Sequence, residues 1–192
     1  MNNAVFLCYI LSMADKTDEE IIELYKSGEK EAFKFLINRY TPPLFNFALR
    51  LTNKNDAPDM VQDIFIKAWK NIKKFDSKKA SFKTWIFTIA KNTITDFLRK
   101  KRSILFTEVE ESFSENIPDE NLLPDEALQK LEDVETLNKI LEKLHPNYRE
   151  VLILHYQEEL TFEEIGHILN KPLNTVKSYH RRAIIELRKM LS

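Results

Sequence analysis

Glycine is nearly missing from this sequence: Gly28 and Gly166 are the only two in 192 residues. Neither a GxGxxG turn nor a GxxxxGK(S/T) loop can be written with them, so the glycine-rich phosphate cradles of nucleotide-binding enzymes are excluded. Cysteine is as scarce. The single Cys8 leaves no internal disulfide and no cysteine-based zinc site, which suits a reducing compartment. His145, His155, His167 and His180 are the only histidines, and they form no HExxH or similar metal-binding spacing. No nucleophile–base signature occurs either. Long apolar runs are also lacking. The stretch AVFLCYILSM, residues 4–13, is about half of the roughly 20 residues that a membrane span needs. It has no positive leader and no small-residue cleavage site. No membrane insertion is expected. Met1 and Met13 both stand as possible starts of translation, and Met13 is the favoured one.

What remains is apolar, charged and periodic. Hydrophobic residues make up 43% of the chain and charged ones 31%. Few glycines and long 3.6-period patterns predict an all-α protein. The net charge is only −1, but it is unevenly spread. Residues 103–136 hold 11 Asp and Glu against one Lys, and residues 71–102 hold 10 Lys and Arg against two Asp. A basic body with an acidic middle points to nucleic acid as a partner.

The helices can be placed in order. Thr17 and Glu20 have capping-box spacing, and Gly28 can end the first helix in left-handed geometry. A second helix is expected over residues 29–51, with Phe33, Leu36, Ile37, Tyr40, Leu44, Phe47 and Leu51 as its apolar stripe. The TPP at residues 41–43 should bend or interrupt it. A third starts at Asp56 as N-cap with Pro58 in its first turn, and a fourth near Ser81. Phe82, Ile86, Phe87, Ile89 and Phe97 read as mostly core. The next stretch, with two prolines and many acids, reads as a linker. Helical pattern resumes over residues 125–144 and again at HPNYREVLILHYQ, with Pro146 in a first turn.

The end of the chain, LTFEEIGHILNKPLNTVKSYHRRAIIELRKML, is two helical patterns around a short break, NKPLN. Thr161 and Glu164 repeat the capping-box spacing, and Phe162, Ile165 and Leu169 form one apolar face. In the second pattern Val176, Ala183, Ile184, Leu187 and Leu191 point inward, while Lys177, Ser178, Arg181 and Arg182 fall mainly on other faces. Two short helices, a tight break and a basic second helix predict a helix-turn-helix that lays the second helix in the major groove. His180 lies on the buried stripe and is expected to pack. Gly166 reads as a site of close helix–helix approach.

Three stretches in order, DAPDMVQDIFIKAWKNIKKF, SFKTWIFTIAKNTITDFLRKKR and LTFEEIGHILNKPLNTVKSYHRRAIIELRK, resemble the extracytoplasmic-function (ECF) group of bacterial sigma factors. The resemblance covers residues 19–191 and includes an acidic linker at the family's place. It implies two helical domains: sigma region 2 over 17–102 and sigma region 4 over 128–192. An acidic linker over 103–127 joins them, and residues 1–16 form an N-terminal extension. It implies a factor that directs core RNA polymerase to promoters and helps melt them. Asp59, Gln62 and Asp63 would meet the polymerase core, with Trp69 expected to pack. Trp85, Lys91, Asn92, Arg99 and Lys100, with Lys101 and Arg102, would hold the −10 element, and residues 76–81 would form the lip of a base pocket. A protein that holds an extruded base needs no ATP to melt DNA. Asp96 is expected to pair with a nearby Lys or Arg rather than with DNA.

Lys177, Ser178, Arg181 and Arg182 would read the −35 element. Tyr179 stands where the family often has a basic residue, His180 where it often has an aliphatic one, and Pro58 where an acid is common. The implied partners are RNA polymerase core, promoter DNA and an anti-sigma protein, in the cytoplasm, with no small-molecule substrate, cofactor or metal and no catalytic chemistry. Two rival readings differ in what they require. A conventional helix-turn-helix regulator would bind duplex alone as a dimer. A nucleic-acid-modifying enzyme would need clustered carboxylates or metal ligands, whereas the acids here gather in the linker.

Overall fold

In the computed structural model, residues 13, 15–103, 140–141 and 143–191 are described. The N-terminal apolar stretch with Cys8, the acidic linker, most of the helical pattern over 125–144 and the side chains of Arg102 and Leu191 lie outside the described residues. Contacts divide the chain into two units, Met1–Ile94 and Thr95–Ser192.

The first unit contains α1 (Asp18–Lys26), α2 (Ala32–Leu51), α3 (Ala57–Asn71) with a 3-10 turn Ile72–Lys74, and the start of α4 (Phe82–Ser103), whose last turns belong to the second unit. Helix α1 begins with a complete capping box: the Thr17 hydroxyl accepts from the Glu20 amide, and the Glu20 carboxylate accepts from the Thr17 amide at 2.8 Å. Gly28, at φ 115°, takes the left-handed turn that ends it. Asp18 then ties α1 to α2 by accepting from the Arg39 guanidinium and the Tyr40 hydroxyl. Burial, and next the Asp18 carboxylate, push the Tyr40 phenol well above its ordinary range, so its proton stays on oxygen.

Two expectations are corrected here. Helix α2 is not interrupted at TPP: it runs as one helix through Pro42 and Pro43. The two lost donors would have served the carbonyls of Asn38 and Arg39, which sit at exposed positions where water can replace them, and the stripe Phe33, Leu36, Tyr40, Leu44 and Phe47 is buried along the whole length. Asp56 sits at the N-cap position of α3 but caps nothing, because its backbone is already helical. Asn53 takes over. Its side-chain oxygen accepts from the amides of Asn55 and Asp56, and its amide donates to the Asp56 carboxylate at 2.6 Å.

The core is strongly aromatic. Edge-on pairs join Phe47 to Phe87 at 5.4 Å and Tyr40 to Phe82 at 5.2 Å between ring centroids. Phe82, Ile86 and Phe87 are fully buried, whereas Ile89 and Phe97 are only half-buried.

In the second unit, α5 (Pro146–Leu152) passes into a π-helical turn, Ile153–Gln157. It is followed by α6 (Phe162–Leu169) and α7 (Leu173–Leu191). Leu141, Leu144, Leu152, Ala183 and Leu187 form its apolar cluster, joined by Ile140, Tyr148 and Ile184. Helix α6 opens with the second capping box, Thr161 with Glu164, and closes on Asn170 in left-handed geometry. The Lys171 amide then donates to the Gly166 carbonyl at 2.9 Å, folding the turn back on α6. A Cβ on Gly166 would stand 2.9 Å from the Lys171 carbonyl oxygen and 3.9 Å from the Val176 side chain of α7, so the tightest approach comes from the turn's backbone, with the second helix in ordinary contact.

Candidate nucleic-acid interface

Helix α3 buries Ala57, Met60, Val61, Ile64, Phe65 and Ala68. That stripe turns Asp59, Gln62 and Asp63 to solvent on one face. The same row continues through Ile66 and Trp69, 42% and 54% exposed. The expectation of a packed Trp69 is therefore corrected: the stripe already fills the interior side of the helix, and Trp69 lies outside it. Two carboxylates, an amide and two large apolar groups on one face are suited to a basic partner with apolar side chains of its own. From the same helix Lys67 donates to the buried Thr93 hydroxyl at 3.0 Å, linking α3 to α4.

The loop before α4 is built by local bonds. The Asp76 carboxylate accepts from the Lys78 amide at 3.0 Å, and the Ser81 hydroxyl accepts from the Thr84 amide at 3.1 Å. Lys26, reaching from α1, donates to the Phe75 carbonyl at 3.3 Å, which holds the loop's start against the unit. Trp85 is half-buried against Phe75 and Phe82, at 5.5 and 5.6 Å between centroids. Two turns on, Asn92 is exposed and Lys91 half-buried. A half-buried aromatic ring, an exposed amide and an ammonium on one helix are the group types that stack on and hydrogen-bond an unpaired base. In the last turns of α4, Arg99, Lys100 and Lys101 are exposed. Asp96 pairs with Arg99 at 3.1 Å, as its place on the helix predicts, and Lys101 lies 5.5 Å over the Phe97 ring.

Helix α7 buries Val176, Tyr179, His180, Ala183 and Leu187. Lys177 and Ser178 are exposed, and Arg181 and Arg182 half-exposed, so one side of the helix carries three cations and a hydroxyl. The hinge before it is set by Asn170 and Pro172, whose carbonyl accepts from the Val176 amide at 3.1 Å. This is the arrangement of a helix-turn-helix, whose second helix can enter the major groove.

Comparison with known proteins decides the family. The family model Sigma-70 region 2 matches residues 36–104, and Sigma-70, region 4 matches residues 135–187. The ECF RNA polymerase sigma factor SigW of Bacillus subtilis is 35% identical over 177 residues, covering 88% of this chain and 94% of that protein. This chain belongs to the ECF sigma factors. The ECF RNA polymerase sigma-E factor of Escherichia coli K12 is 30% identical over 178 residues, 87% of this chain and 90% of that protein. Among solved structures, a Bartonella quintana sigma factor RpoE in complex with the anti-sigma factor NepR superimposes with a TM-score of 0.65 at 28% identity, over 84% of this chain and 97% of that one. CnrH, solved with the cytosolic domain of CnrY, shares the fold with a TM-score of 0.67 at 23% identity, over 92% and 97% of the two chains.

ECF sigma factors direct RNA polymerase to promoters, and this sigma factor carries the family's region 2 over residues 36–104 and its region 4 over residues 135–187. Among the described residues no helix is long and apolar enough to cross a membrane. The residues singled out in the sequence lie on three helices: Asp59, Gln62 and Asp63 are exposed on α3; Asn92, Arg99 and Lys100 are exposed and Trp85 and Lys91 half-buried on α4; Lys177 and Ser178 are exposed and Arg181 and Arg182 half-exposed on α7. Ile66 was missed on the first of these, and Trp69, which the resemblance places on the same helix as Asp59, Gln62 and Asp63, was expected to pack but is exposed. The signal was present, since both are large apolar residues off the buried stripe.

Proposed function

We propose that the α3 face docks on the polymerase core through Asp59, Gln62, Asp63, Ile66 and Trp69. Trp85, Lys91, Asn92, Arg99 and Lys100 then hold the opened −10 strand, and Lys177, Ser178, Arg181 and Arg182 read the −35 element as duplex. The outer side of α7 carries this reading: Lys177 and Ser178 are exposed and Arg181 and Arg182 half-exposed on a helix whose opposite side is buried in its own unit. Lys and Arg there match guanine edges, each bidentate contact being worth about 1–3 kcal/mol of discrimination. Region 2 spans residues 17–102 and region 4 residues 128–192, with the acidic linker over 103–127 complementary in charge to a basic nucleic-acid channel. The protein does no covalent chemistry. It acts in the cytoplasm, where the polymerase and the chromosome are. An anti-sigma protein restrains it, as NepR is bound to the RpoE relative.

The test is run-off transcription with purified core enzyme on genomic fragments. Lys177→Ala and Arg182→Ala should each weaken promoters that depend on their −35 element and leave core association intact. Unchanged promoter choice and strength in both variants would refute the assignment of α7 as the −35 reader.

A further inference from the structure

Helix α7 can read a base edge only if its rotation about its own axis is fixed. Successive residues are 100° apart, and side chains reach about 5–6 Å from the axis. A roll of about 30° therefore displaces a side-chain tip by about 3 Å, the length of a hydrogen bond. The apolar residues under α7, Val176, Ala183 and Leu187, hold it by close packing, which restricts a roll by overlap but supplies no directional bond to fix its final few degrees. Two neighbouring residues on the same helix are held differently. Tyr179, 3% exposed, lies 5.7 Å from the Tyr148 ring of α5. His180, 8% exposed, lies against a separate group formed by His155 and Tyr156 of the π-helical turn and Phe162 of α6.

That group is ordered by polar contacts. His155 stacks on Phe162 at 4.5 Å, and its Nδ1 faces the Leu160 carbonyl at 2.9 Å. A carbonyl only accepts, so this nitrogen carries the proton. Tyr156 stacks on His180 at an interplanar angle of 30°, and its hydroxyl shares a 3.0 Å hydrogen bond with His180 Nε2. The bond joins the recognition helix to the π-helical turn, within three residues of Lys177 and two of Arg182. π-helical turns are rare and are often retained where they place a particular side chain. Here the turn holds the Tyr156 hydroxyl at His180.

We propose that Tyr156 and His180 are positioning residues for −35 recognition: their hydrogen bond sets the rotation of α7 and so determines which of Lys177, Ser178, Arg181 and Arg182 meet the bases. Neither residue touches DNA in this account. The proposal rests on the assignment of α7 as the −35 reader and adds to it a determinant outside the base-contacting set.

The experiment uses holoenzyme reconstituted from core polymerase and the full chain. The probe is a promoter fragment selected by run-off transcription, alongside the same fragment with its −35 element replaced. The ratio of transcription from the two measures −35 discrimination. Tyr156→Phe and His180→Phe keep the rings and remove the hydrogen bond, and each should lower the ratio about three- to tenfold. The double variant should be no worse than either single one. His180→Gln, whose amide nitrogen or oxygen can stand near the place of Nε2, should keep most of the ratio. Transcription from the fragment lacking the −35 element should be unchanged throughout.

An unchanged ratio in Tyr156→Phe and His180→Phe overturns the proposal. So does an equal fall on both fragments, which would mark the pair as merely structural. Should His180→Phe fail to fold, Tyr156→Phe alone decides, since it removes one oxygen from a ring that is 39% exposed. Lys177→Ala and Arg182→Ala are run alongside. A normal ratio in those two refutes the reading of α7 itself and the proposal with it, whereas a loss there beside normal Tyr156→Phe and His180→Phe refutes the positioning role alone.

Discussion

The two units solve one problem with different materials. Both must hold a helix so that its outer face meets DNA. In the first unit α4 is pressed down by fully buried phenylalanines that meet other rings edge-on, with Phe87 against Phe47 and Phe82 against Tyr40. In the second, α7 rests partly on aliphatic side chains and partly on a hydrogen-bonded group of His155, Tyr156, Phe162 and His180. The difference suits the two tasks proposed for these helices. A surface that holds single-stranded bases needs a stable platform and tolerates small rotations, because stacking is broad in geometry. A helix that reads base edges needs a directional hold, because hydrogen bonds weaken steeply when misaligned.

The comparison is broken most forcefully in the first unit. Phe87→Ala should cost about 3–5 kcal/mol of stability by thermal or denaturant unfolding, because a fully buried ring leaves a cavity beside Phe47. Association with core and promoter opening should fail together, since α3 and α4 rest on the same core. A variant that unfolds at the parent temperature would show that the ring pairs do not carry the platform.

Gly166→Ala probes the second unit with a smaller change. The new methyl would meet the Lys171 carbonyl at 2.9 Å, and a backbone oxygen cannot swing aside as a side chain can. The turn must shift, at about 1–3 kcal/mol, and the entry angle of α7 with it. Discrimination of the −35 element should fall while affinity for core stays within about twofold. Retained discrimination would mean that the turn between α6 and α7 adapts more freely than its geometry implies.

Much of this was legible in the sequence, and what was not has a common cause. Periodicity placed most of the stripe of α2, with Ile37 and Leu51 only half-buried, and the outward Lys177 and Ser178, because burial of one face is what periodicity records; the resemblance singled out Asp59, Gln62 and Asp63, which are exposed. Local chemistry placed both capping boxes and the left-handed Gly28. The failures came where a local rule met a tertiary answer. Pro42 and Pro43 predict a bent or interrupted helix, but α2 is uninterrupted, and the carbonyls left without donors sit at exposed positions that water can reach. Trp69 predicts a packed ring by its size, but the interior side of α3 is already full. The partners of His180 were beyond reach altogether. Its burial could be read from its spacing to Val176, but Tyr156 is 24 residues away and arrives through a π-helical turn that no sequence pattern announced.

The two units share a capping device. Thr17 and Thr161 cap α1 and α6 with the same reciprocal pair of hydrogen bonds to Glu20 and Glu164. In isolation each should be worth about 1 kcal/mol. Their surroundings differ. Beside Thr17, Asp18 is bound by Arg39 and Tyr40, and Arg39 also donates to the Lys16 carbonyl at 3.0 Å, so the start of α1 is held by three contacts that do not involve the cap. At the start of α6 no carboxylate plays the part of Asp18 among the holds described: the Leu160 amide donates to the Leu154 carbonyl at 3.1 Å, the Leu160 carbonyl faces His155 Nδ1 at 2.9 Å, and the Phe162 ring stacks on His155. Thr161→Ala should therefore speed amide hydrogen exchange at Glu164 about fivefold, and Thr17→Ala should speed it at Glu20 by about twofold or less. Equal acceleration at the two sites would show that the Asp18 contacts do not reinforce α1. A larger effect at Glu20 would reverse the ranking of the two helix starts.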